Sequence, residues 1–422
     1  MQNVILNNCF MIVRSFYLKK QYASQIAALC TPEVIAVIRP ERAVEAMFSE
    51  AISVTIDQKK NASAHMESIR EYYYSLEESP SYREKVDTIL DTVSGYLREA
   101  MYVQTERSAI QDYVMAKCAR LCAEAICIKA QGKLLDGTEL MICHTVQHFD
   151  WRQSQVQIRE RCMPGQIIPG GYGRLNTGYI VKVGKDGAHL MASLIGATLD
   201  AQSIEFYTDG RAFRSEAAMT YDEAAHYCSQ EHAAFASSAV WPAKNAGIPI
   251  VVKDITDPSF EGTLISNASA NKTAVICDKD LDLITVYGTG LLGRVGMSGA
   301  IFSCLAKANV NVRFIAQTSS EYSISFAVKS VDKDRCVEAI QSLFKDNPLL
   351  PLDDVVVANQ LVGIVTVFGS RMRNLPGTSA AIYNKMGEAG INIIASAQGG
   401  EELSISLVVK AADAERAAAL LQ

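Results

Sequence analysis

Residues 283–329 read LITVYGTGLLGRVGMSGAIFSCLAKANVNVRFIAQTSSEYSISFAVK, and the same pattern returns 81 positions later, at 364–410, as IVTVFGSRMRNLPGTSAAIYNKMGEAGINIIASAQGGEELSISLVVK. No gap is needed to superpose them. Gly288 falls on Gly369, Gly296 on Gly377, Ala300 on Ala381 and Asn311 on Asn392. Gln317 falls on Gln398, and Ser323-Ile324-Ser325 on Ser404-Ile405-Ser406. Agreement at that many special positions marks an internal duplication, the feature to settle before any single element is assigned.

Each copy predicts the same short series of elements. Ile284 and Val286, like Val365 and Val367, alternate with polar neighbours at the period of a half-buried strand. A glycine-rich loop follows, then a helix carrying Ile301, Leu305 and Ala308, or Ile382, Met386 and Ala389. Asn311-Val312 and Asn392-Ile393 open a second strand, Ser-Ile-Ser a third, and Asp334 to Phe344 a closing helix in copy one. The unit is a βαββα half-sandwich of the ferredoxin-like kind. Two such units with open sheet edges are expected to pair edge to edge or across a dimer.

On these residues the duplicated unit resembles the ACT domain, the amino-acid-sensing module of biosynthetic enzymes. VGMSGAIFSCLAKANVNVRFIAQTSSEYSISFAV is similar to the first regulatory repeat of aspartokinases, especially those fused to homoserine dehydrogenase. The resemblance implies an effector site built from Gly293, Arg294, Val295 and Gly296, with Asn311, Gln317 and Gln398. Glycines before a helix let backbone N–H groups approach a carboxylate, and the helix N-terminus adds partial positive charge. Gln317 stands where it can bond the ligand's polar side chain or ammonium. The alternative is that the glycines only make tight turns and the duplication is a dimerisation scaffold.

The whole chain has 422 residues, enough for two or three domains, since single cores rarely exceed ~250–300 residues. With 49% hydrophobic and 20% charged residues it has the composition of a soluble globular protein. A net charge of −6 argues against nucleic acid or an anionic membrane as partner. No apolar run reaches the ~18–20 residues of a membrane span. The opening MQNVILNNCFMIVRS lacks a basic region followed by a cleavage site. Eleven cysteines without a CxxC spacing suit free thiols in a reducing cytosol, so the expected location is cytoplasmic.

Upstream of the duplication, Met11 to Val13 and Val34 to Ile38 read as strands around a helix, the second strand apolar throughout, as for a strand buried on both faces. From Glu41 to about Ala100 the chain is helix-forming, broken at Pro80, and a further helix runs from about Ser108 to Ala130. Strands at Leu140 to His144, Gln166 to Pro169 and Ser203 to Thr208 then alternate with a helix at Leu190 to Leu199. The alternation implies a mostly parallel sheet covered on both faces.

This region, too, carries a resemblance. Tyr221, Glu223, Pro242, Gly247, Pro249, Lys253, Pro258, Gly262 and Thr263 follow the pattern that closes the catalytic domain of aspartokinases, an amino-acid-kinase fold. The fold class is therefore α/β. A three-layer αβα amino-acid-kinase-like domain is expected over 1–275, with a helical lobe at about 41–130, followed by ACT repeats at 276–350 and 351–422. The family's activity is transfer of the ATP γ-phosphoryl group to the aspartate β-carboxylate, which requires cations and backbone N–H donors around two anions.

Four places of the family's site are altered here. The opening Lys-Phe-Gly-Gly-Thr-Ser becomes Arg14-Ser15-Phe16-Tyr17-Leu18-Lys19, where bulky residues block close approach to the backbone and Lys19 and Lys20 read as solvated. The helix motif Gly-Glu-Arg-x-Ser becomes Cys118-Ala119-Arg120-Leu121-Cys122, keeping Arg120 alone; Cys118 and Cys122 share a face, but no further ligand accompanies them and no metal is expected. The glycine loop becomes Gly184-Lys185-Asp186-Gly187-Ala188-His189, with an aspartate where phosphate should come and a histidine expected at a cap or on the surface. The nucleotide loop keeps Thr208-Asp209-Gly210 and is shortened through residues 211–214, leaving Lys253 as the one well-placed cation. Arg120, Lys185 and Lys253 are thus the remaining candidates for catalysis, and Gly184, Gly187, Thr208, Asp209 and Gly210 a remnant nucleotide site. ATP and magnesium are expected only if that site is still competent. The expected function is a catalytically impaired aspartokinase homologue that senses threonine or lysine, dimerises through its ACT repeats and accompanies an active kinase subunit. Active aspartate kinase and an oligomer scaffold are the alternatives. Glu33, Glu41 and Glu45 are assigned to a solvated face.

Overall fold

The computed structural model describes residues 11–103, 105–145, 148–184, 186–210, 218–228, 235–268, 274–288, 295–319, 322–345, 356–369, 372, 375–400 and 402–422. The chain divides into two compact units, 1–269 and 270–422.

Unit one threads strands β1 (Ile12–Leu18), β2 (Val34–Pro40), β3 (Lys133–Leu134), β4 (Ile142–Thr145), β5 (His148–Phe149), β6 (Gln166–Pro169), β7 (Tyr172–Leu175), β8 (Ile180–Lys182), β9 (Ser203–Thr208), β10 (Ala218–Thr220), β11 (Ile250–Asp254) and β12 (Thr263–Ser266). Its helices are α1 (Ala23–Leu29), α2 (Arg42–Ile52), α3 (Ser63–Tyr74), α4 (Pro80–Ala100), α5 (Arg107–Ala130), α6 (Trp151–Arg161), α7 (Gly187–Thr198), α8 (Tyr221–Tyr227) and α9 (Trp241–Ala246). Eight strands form one sheet in the order β10-β12-β11-β9-β1-β2-β6-β3, and β5-β4-β7-β8 form a second, smaller one. From β11 across to β3 the large sheet is parallel, and β12 turns antiparallel to β11.

The apolar run of β2 explains its central place, since all seven of its residues are buried. Pro80 opens α4 at the position where its missing N–H costs nothing. Gln131 closes α5 in the left-handed conformation, with φ of 53°. Phe48, Tyr73, Leu90 and Ile126 from the helical segments share one core with Phe16 and Ile38 of the sheet. Cys118 and Cys122 lie in that core, where the Tyr73 hydroxyl sits 2.9 Å from the Cys118 sulfur. On the other face α7 is buried on nearly all sides.

Unit two contains β13 (Ala274–Tyr287), α10 (Met297–Lys307), β14 (Phe314–Gln317), β15 (Ser323–Lys329), α11 (Lys333–Lys345), β16 (Val356–Phe368), α12 (Thr378–Glu388), β17 (Ala395–Gln398), β18 (Ser404–Lys410) and α13 (Ala414–Leu421). They build one antiparallel sheet, β14-β15-β13-β16-β18-β17. The two βαββα copies meet edge to edge within the chain, through β13 and β16. The second strand of each copy starts later than Asn311 and Asn392 suggest, at Phe314 and Ala395.

The long central strands have a consequence that neither copy alone predicts. The C-terminal half of β13 belongs to copy one, where Leu281 to Tyr287 pair with β15. Its N-terminal half, Ala274 to Asp278, pairs instead with Ile364 to Phe368 of copy two, across a register shift between Asp278 and Leu281. The start of β16 reciprocates beside copy one, Val356 to Leu361 pairing with Tyr287 to Asp282. Each copy thereby gains a fourth strand from the other's long strand. Val275 and Cys277 accordingly pack into the core of copy two, with Val365, Ile405 and Leu407. Copy one has its own core of Ile284, Ile301, Phe326 and Ile340. The remaining sheet face is covered by a third cluster, including Leu281, Phe314, Ile364 and Val408.

Candidate functional site

Parallel α/β sheets present their ligand sites at the carboxyl ends of the strands. In unit one those ends are crowded with charge of both signs. Arg39 ends the apolar run of β2 and is only 8% exposed. It grips Glu45 of α2 with two nitrogens, at 3.0 and 3.2 Å, and reaches Asp186 at 3.2 Å. The Tyr17 hydroxyl donates to the same Asp186 oxygen at 3.0 Å. Burial is the main reason the Tyr17 phenol is held above its ordinary range, partly opposed by Arg39. Asp186, expected to repel a phosphate, is instead bound inward by an arginine and a phenol. Glu45 is not on a solvated face: it is the bidentate partner of Arg39.

Two residues along from Gly187, His189 corrects its expected place at a cap or on the surface. Its ring is fully buried, 4.6 Å from Phe206, 5.2 Å from Tyr17 and 5.7 Å from Phe235. Neither ring nitrogen has a hydrogen-bond partner among the described residues, and burial pushes its pKa down to about 4. The first turn of α7 lies on the sheet, so this position faces inward. The close approach is permitted at Gly187, where a Cβ would stand 2.9 Å from the backbone of Gly171.

Lys253 faces Glu205 of β9 at 2.8 Å, and Arg14 of β1 holds the other oxygen of that carboxylate at 2.6 Å. The Tyr207 hydroxyl donates to Glu205 at 3.1 Å. Burial alone would raise the Glu205 pKa. The Lys253 bond and the charges of Arg14 and Lys253 outweigh it and bring the carboxyl below its usual range. Lys19 is not simply solvated: it pairs with Asp209, and that bond is the main cause that raises its pKa. Thr208 donates to the carbonyls of Gly210 and Lys253, at 2.8 and 3.1 Å, and the Gly210 N–H donates to Asp254 at 3.1 Å. Thr208 to Gly210, expected as part of a remnant nucleotide site, are thus tied to one another and to β11. Gly184 keeps a left-handed φ of 62°, whereas Lys185 and residues 211–217 lie outside the described residues.

Arg120 lies apart from these groups in the side-chain network. It reaches Asp136 at 3.3 Å and Glu124 at 3.7 Å. Among the described residues no His/Cys/Asp/Glu group could hold a metal ion. Other residues of the recognised pattern act in the fold. Glu223 and Thr220 form a capping box at α8, and the Tyr221 hydroxyl donates to the Ile248 carbonyl at 2.7 Å.

In unit two, Gly293 and Arg294 lie outside the described residues, and Val295 is fully exposed. Gly296 and Gly377 occupy the same left-handed position before α10 and α12, with φ of 88° and 90°, which a side chain would resist. Asn311, Gln317 and Gln398 are exposed. The Gln317 side-chain oxygen accepts from Ser298 at 3.4 Å, and that of Gln398 from Ser379 at 3.3 Å. Ser298 and Ser379 were legible in the 81-residue shift, which superposes them. Arg39, Glu45 and Glu205 left a fainter signal, a charged residue inside or ending an apolar strand, or one turn into the next helix.

Comparison with known proteins places these features. Residues 284–344 and 365–422 match the ACT domain family. The bifunctional aspartokinase/homoserine dehydrogenase 1 of Zea mays is 28% identical over 292 residues, 64% of this chain and 32% of that protein, so the match spans about a third of the relative. Aspartokinase 2 of Bacillus subtilis is 28% identical over 269 residues, 60% of this chain and 64% of that protein. The E. coli aspartokinase III structure with aspartate and ADP superposes with a TM-score of 0.77 at 18% identity, covering 97% of this chain and 98% of that one. The same enzyme in complex with lysine and aspartate gives 0.76 at 17%, again over 97% and 98%. These superpositions establish the fold.

Proposed function

We propose, from the premise that this chain is an aspartokinase homologue with paired ACT domains, that it senses an amino acid through those domains and no longer transfers phosphate. One observation carries the loss of catalysis. Four described cations on or beside β1, β2 and β11 are already paired with the chain's own carboxylates. Lys253 and Arg14 flank Glu205, Lys19 meets Asp209, and Arg39 lies between Glu45 and Asp186. A magnesium-bound triphosphate needs surplus cations and open N–H donors, because phosphoryl transfer is catalysed chiefly by positioning and charge stabilisation. These residues do not fit ATP and magnesium. The same pairs speak against an active kinase using Lys19 and Lys253; Lys185 lies outside the described residues.

The ACT repeats support a sensor over an empty scaffold. Each copy keeps a left-handed glycine ahead of its helix and a glutamine held by a serine on that helix, in the same geometry. Conserving that arrangement through the duplication is unnecessary for packing, since both glutamines are exposed. Threonine or lysine is the expected effector, bound by the Gly293 to Gly296 loop, Asn311, Gln317 and Gln398. A homodimer through the ACT sheets, in the cytoplasm and alongside an active kinase subunit, completes the proposal. No helix of the described residues is long and apolar enough to cross a membrane.

Isothermal titration with Mg·ATP, threonine and lysine tests both halves. Saturable heat with one amino acid and none with Mg·ATP is expected. Micromolar Mg·ATP binding sinks the catalytic half, and silence with both amino acids sinks the sensor half.

A further inference from the structure

Superposed by the 81-residue shift, the two βαββα copies agree at the row of side chains nearest the helix N-terminus and differ at the row behind it. In the first row Ser298 meets Gln317 at 3.4 Å, and Ser379 meets Gln398 at 3.3 Å. The second row is Phe302 with Ile315 in copy one, and Tyr383 with Ser396 in copy two. Four residues along a helix and two along a strand each return to the same face. Both rows therefore line one seam in each copy, between α10 and the edge strand β14 or between α12 and the edge strand β17.

The chemistry of the second row differs between the copies. The Tyr383 hydroxyl donates to the Ser396 hydroxyl oxygen at 2.6 Å, and both side chains are exposed, Tyr383 by 39%. Each hydroxyl has bonding capacity left: the phenol oxygen can accept, and the serine O–H can donate. Such a pair adds little to the stability of the fold, because at an exposed position water serves both groups nearly as well. Copy one carries no hydrogen-bonding side-chain atom at either position. The Phe302 ring lies 5.8 Å from Phe326, edge to face, and Ile315 is 48% exposed.

The second row lies within reach of an effector. Ile315 stands between Asn311 and Gln317, and Ser396 between Asn392 and Gln398, the asparagine and glutamine of each copy. Two residues of strand span about 7 Å, comparable to the length of a small amino acid. An amino acid held at the glutamine thus brings its side chain up to the second row. Threonine and valine have the same shape there and differ by one hydroxyl in place of a methyl.

We infer that Tyr383 and Ser396 are specificity-determining residues: they make the second repeat select threonine, with its hydroxylated side chain, over its isostere valine, while the first repeat, with Phe302 and Ile315, holds the two alike. This rests on the amino-acid-sensing role proposed above and adds to it that the two sites are chemically inequivalent. A ligand hydroxyl entering copy two joins the Tyr383–Ser396 pair, and chained hydroxyls strengthen one another. In copy one the same hydroxyl meets hydrocarbon and gains nothing over a methyl. The chain then answers threonine at both copies and valine at the first alone.

Isothermal titration of the full chain with threonine, valine and lysine separates the repeats when one glutamine is removed at a time. With Gln317→Ala, which leaves copy two as the tighter site, threonine is expected to bind at least about tenfold tighter than valine. With Gln398→Ala, which leaves copy one, the two are expected to agree within about threefold. Adding Tyr383→Phe and Ser396→Ala to Gln317→Ala removes the preference. The reverse graft, Phe302→Tyr with Ile315→Ser added to Gln398→Ala, creates it. Thermal melts check that each variant is folded; if the copy-two substitutions do not fold, the graft decides. Equal affinity for threonine and valine with Gln317→Ala, or a preference that survives loss of both hydroxyls, overturns the inference and leaves sensing intact. Binding of lysine but of neither threonine nor valine does the same. No heat with any of the three amino acids overturns the sensing role itself, and the inference with it.

Discussion

Replacing Glu205 by glutamine asks directly whether the chain's own carboxylate neutralises Arg14 and Lys253, on which the proposed loss of catalysis rests. The Glu205 side chain is 7% exposed, with Arg14 at 13% and Lys253 at 27%. An amide can still receive one of the two hydrogen bonds, at 2.6 or 2.8 Å, but it cannot neutralise either cation. Removing one partner of a buried pair costs about 3–5 kcal/mol. Partial exposure of Lys253 lets water screen some of that loss, which places the expectation near the lower end, at about 3 kcal/mol. Both tryptophans, Trp151 and Trp241, lie in unit one with ring centres 4.7 Å apart, so their fluorescence in urea follows that unit by itself. With a urea slope of about 2 kcal/mol/M, Glu205→Gln should lower the midpoint by about 1.5 M. The sign of the pH dependence gives a second check. The Glu205 carboxyl lies below its usual range in the folded unit, so its contribution is complete above the ordinary glutamate range and is lost as pH falls through the folded value. The gap between wild type and variant should therefore be widest near neutrality and shrink in acid. A midpoint shift under about 0.5 M would mean that water already neutralises these cations. Lys253 would then be available to a phosphate, and the case for lost catalysis would fail.

Three further outcomes are expected. Gln317→Ala and Gln398→Ala should each weaken the responsive amino acid by about tenfold in titration, with the thermal midpoint nearly unmoved because both side chains are exposed. In wild type, acid should weaken unit one as the unfolded chain takes a proton at His189 near the ordinary value while the buried ring resists to about 4. That difference amounts to roughly 3 kcal/mol between pH 7 and pH 4, and fluorescence-monitored urea melts of His189→Leu should lack it. Val275→Pro should break the strand that completes copy two, where Val275 pairs with Val367. Hydrogen exchange should then expose Ser404–Lys410 and leave Ser323–Lys329 protected; equal loss in both would show that the fourth strands are not needed separately.

The sequence by itself determined the elements and their kinds. An 81-residue shift, period-two apolar alternation and glycines at matched places suffice for two βαββα copies, because strand and turn signals are local. The run Val34 to Ile38 likewise identified a strand covered on both faces, and Pro80 lies where local chemistry starts a helix. What tertiary structure alone decided is which side chains meet across long stretches of chain. Glu205 is 191 residues from Arg14 and 48 from Lys253, and Asp186 is 147 from Arg39. No period or spacing records such pairs, since charge partners need nearness in space and not in sequence. The same limit placed His189 at a cap, when the packing of α7 buries it among three aromatic rings, and put Glu45 in solvent, when Arg39 holds it. It also hid the exchange of strands between the repeats. Ala274 to Asp278 precede copy one in sequence yet complete the sheet of copy two, because an open strand edge is satisfied by whichever neighbour the fold brings beside it.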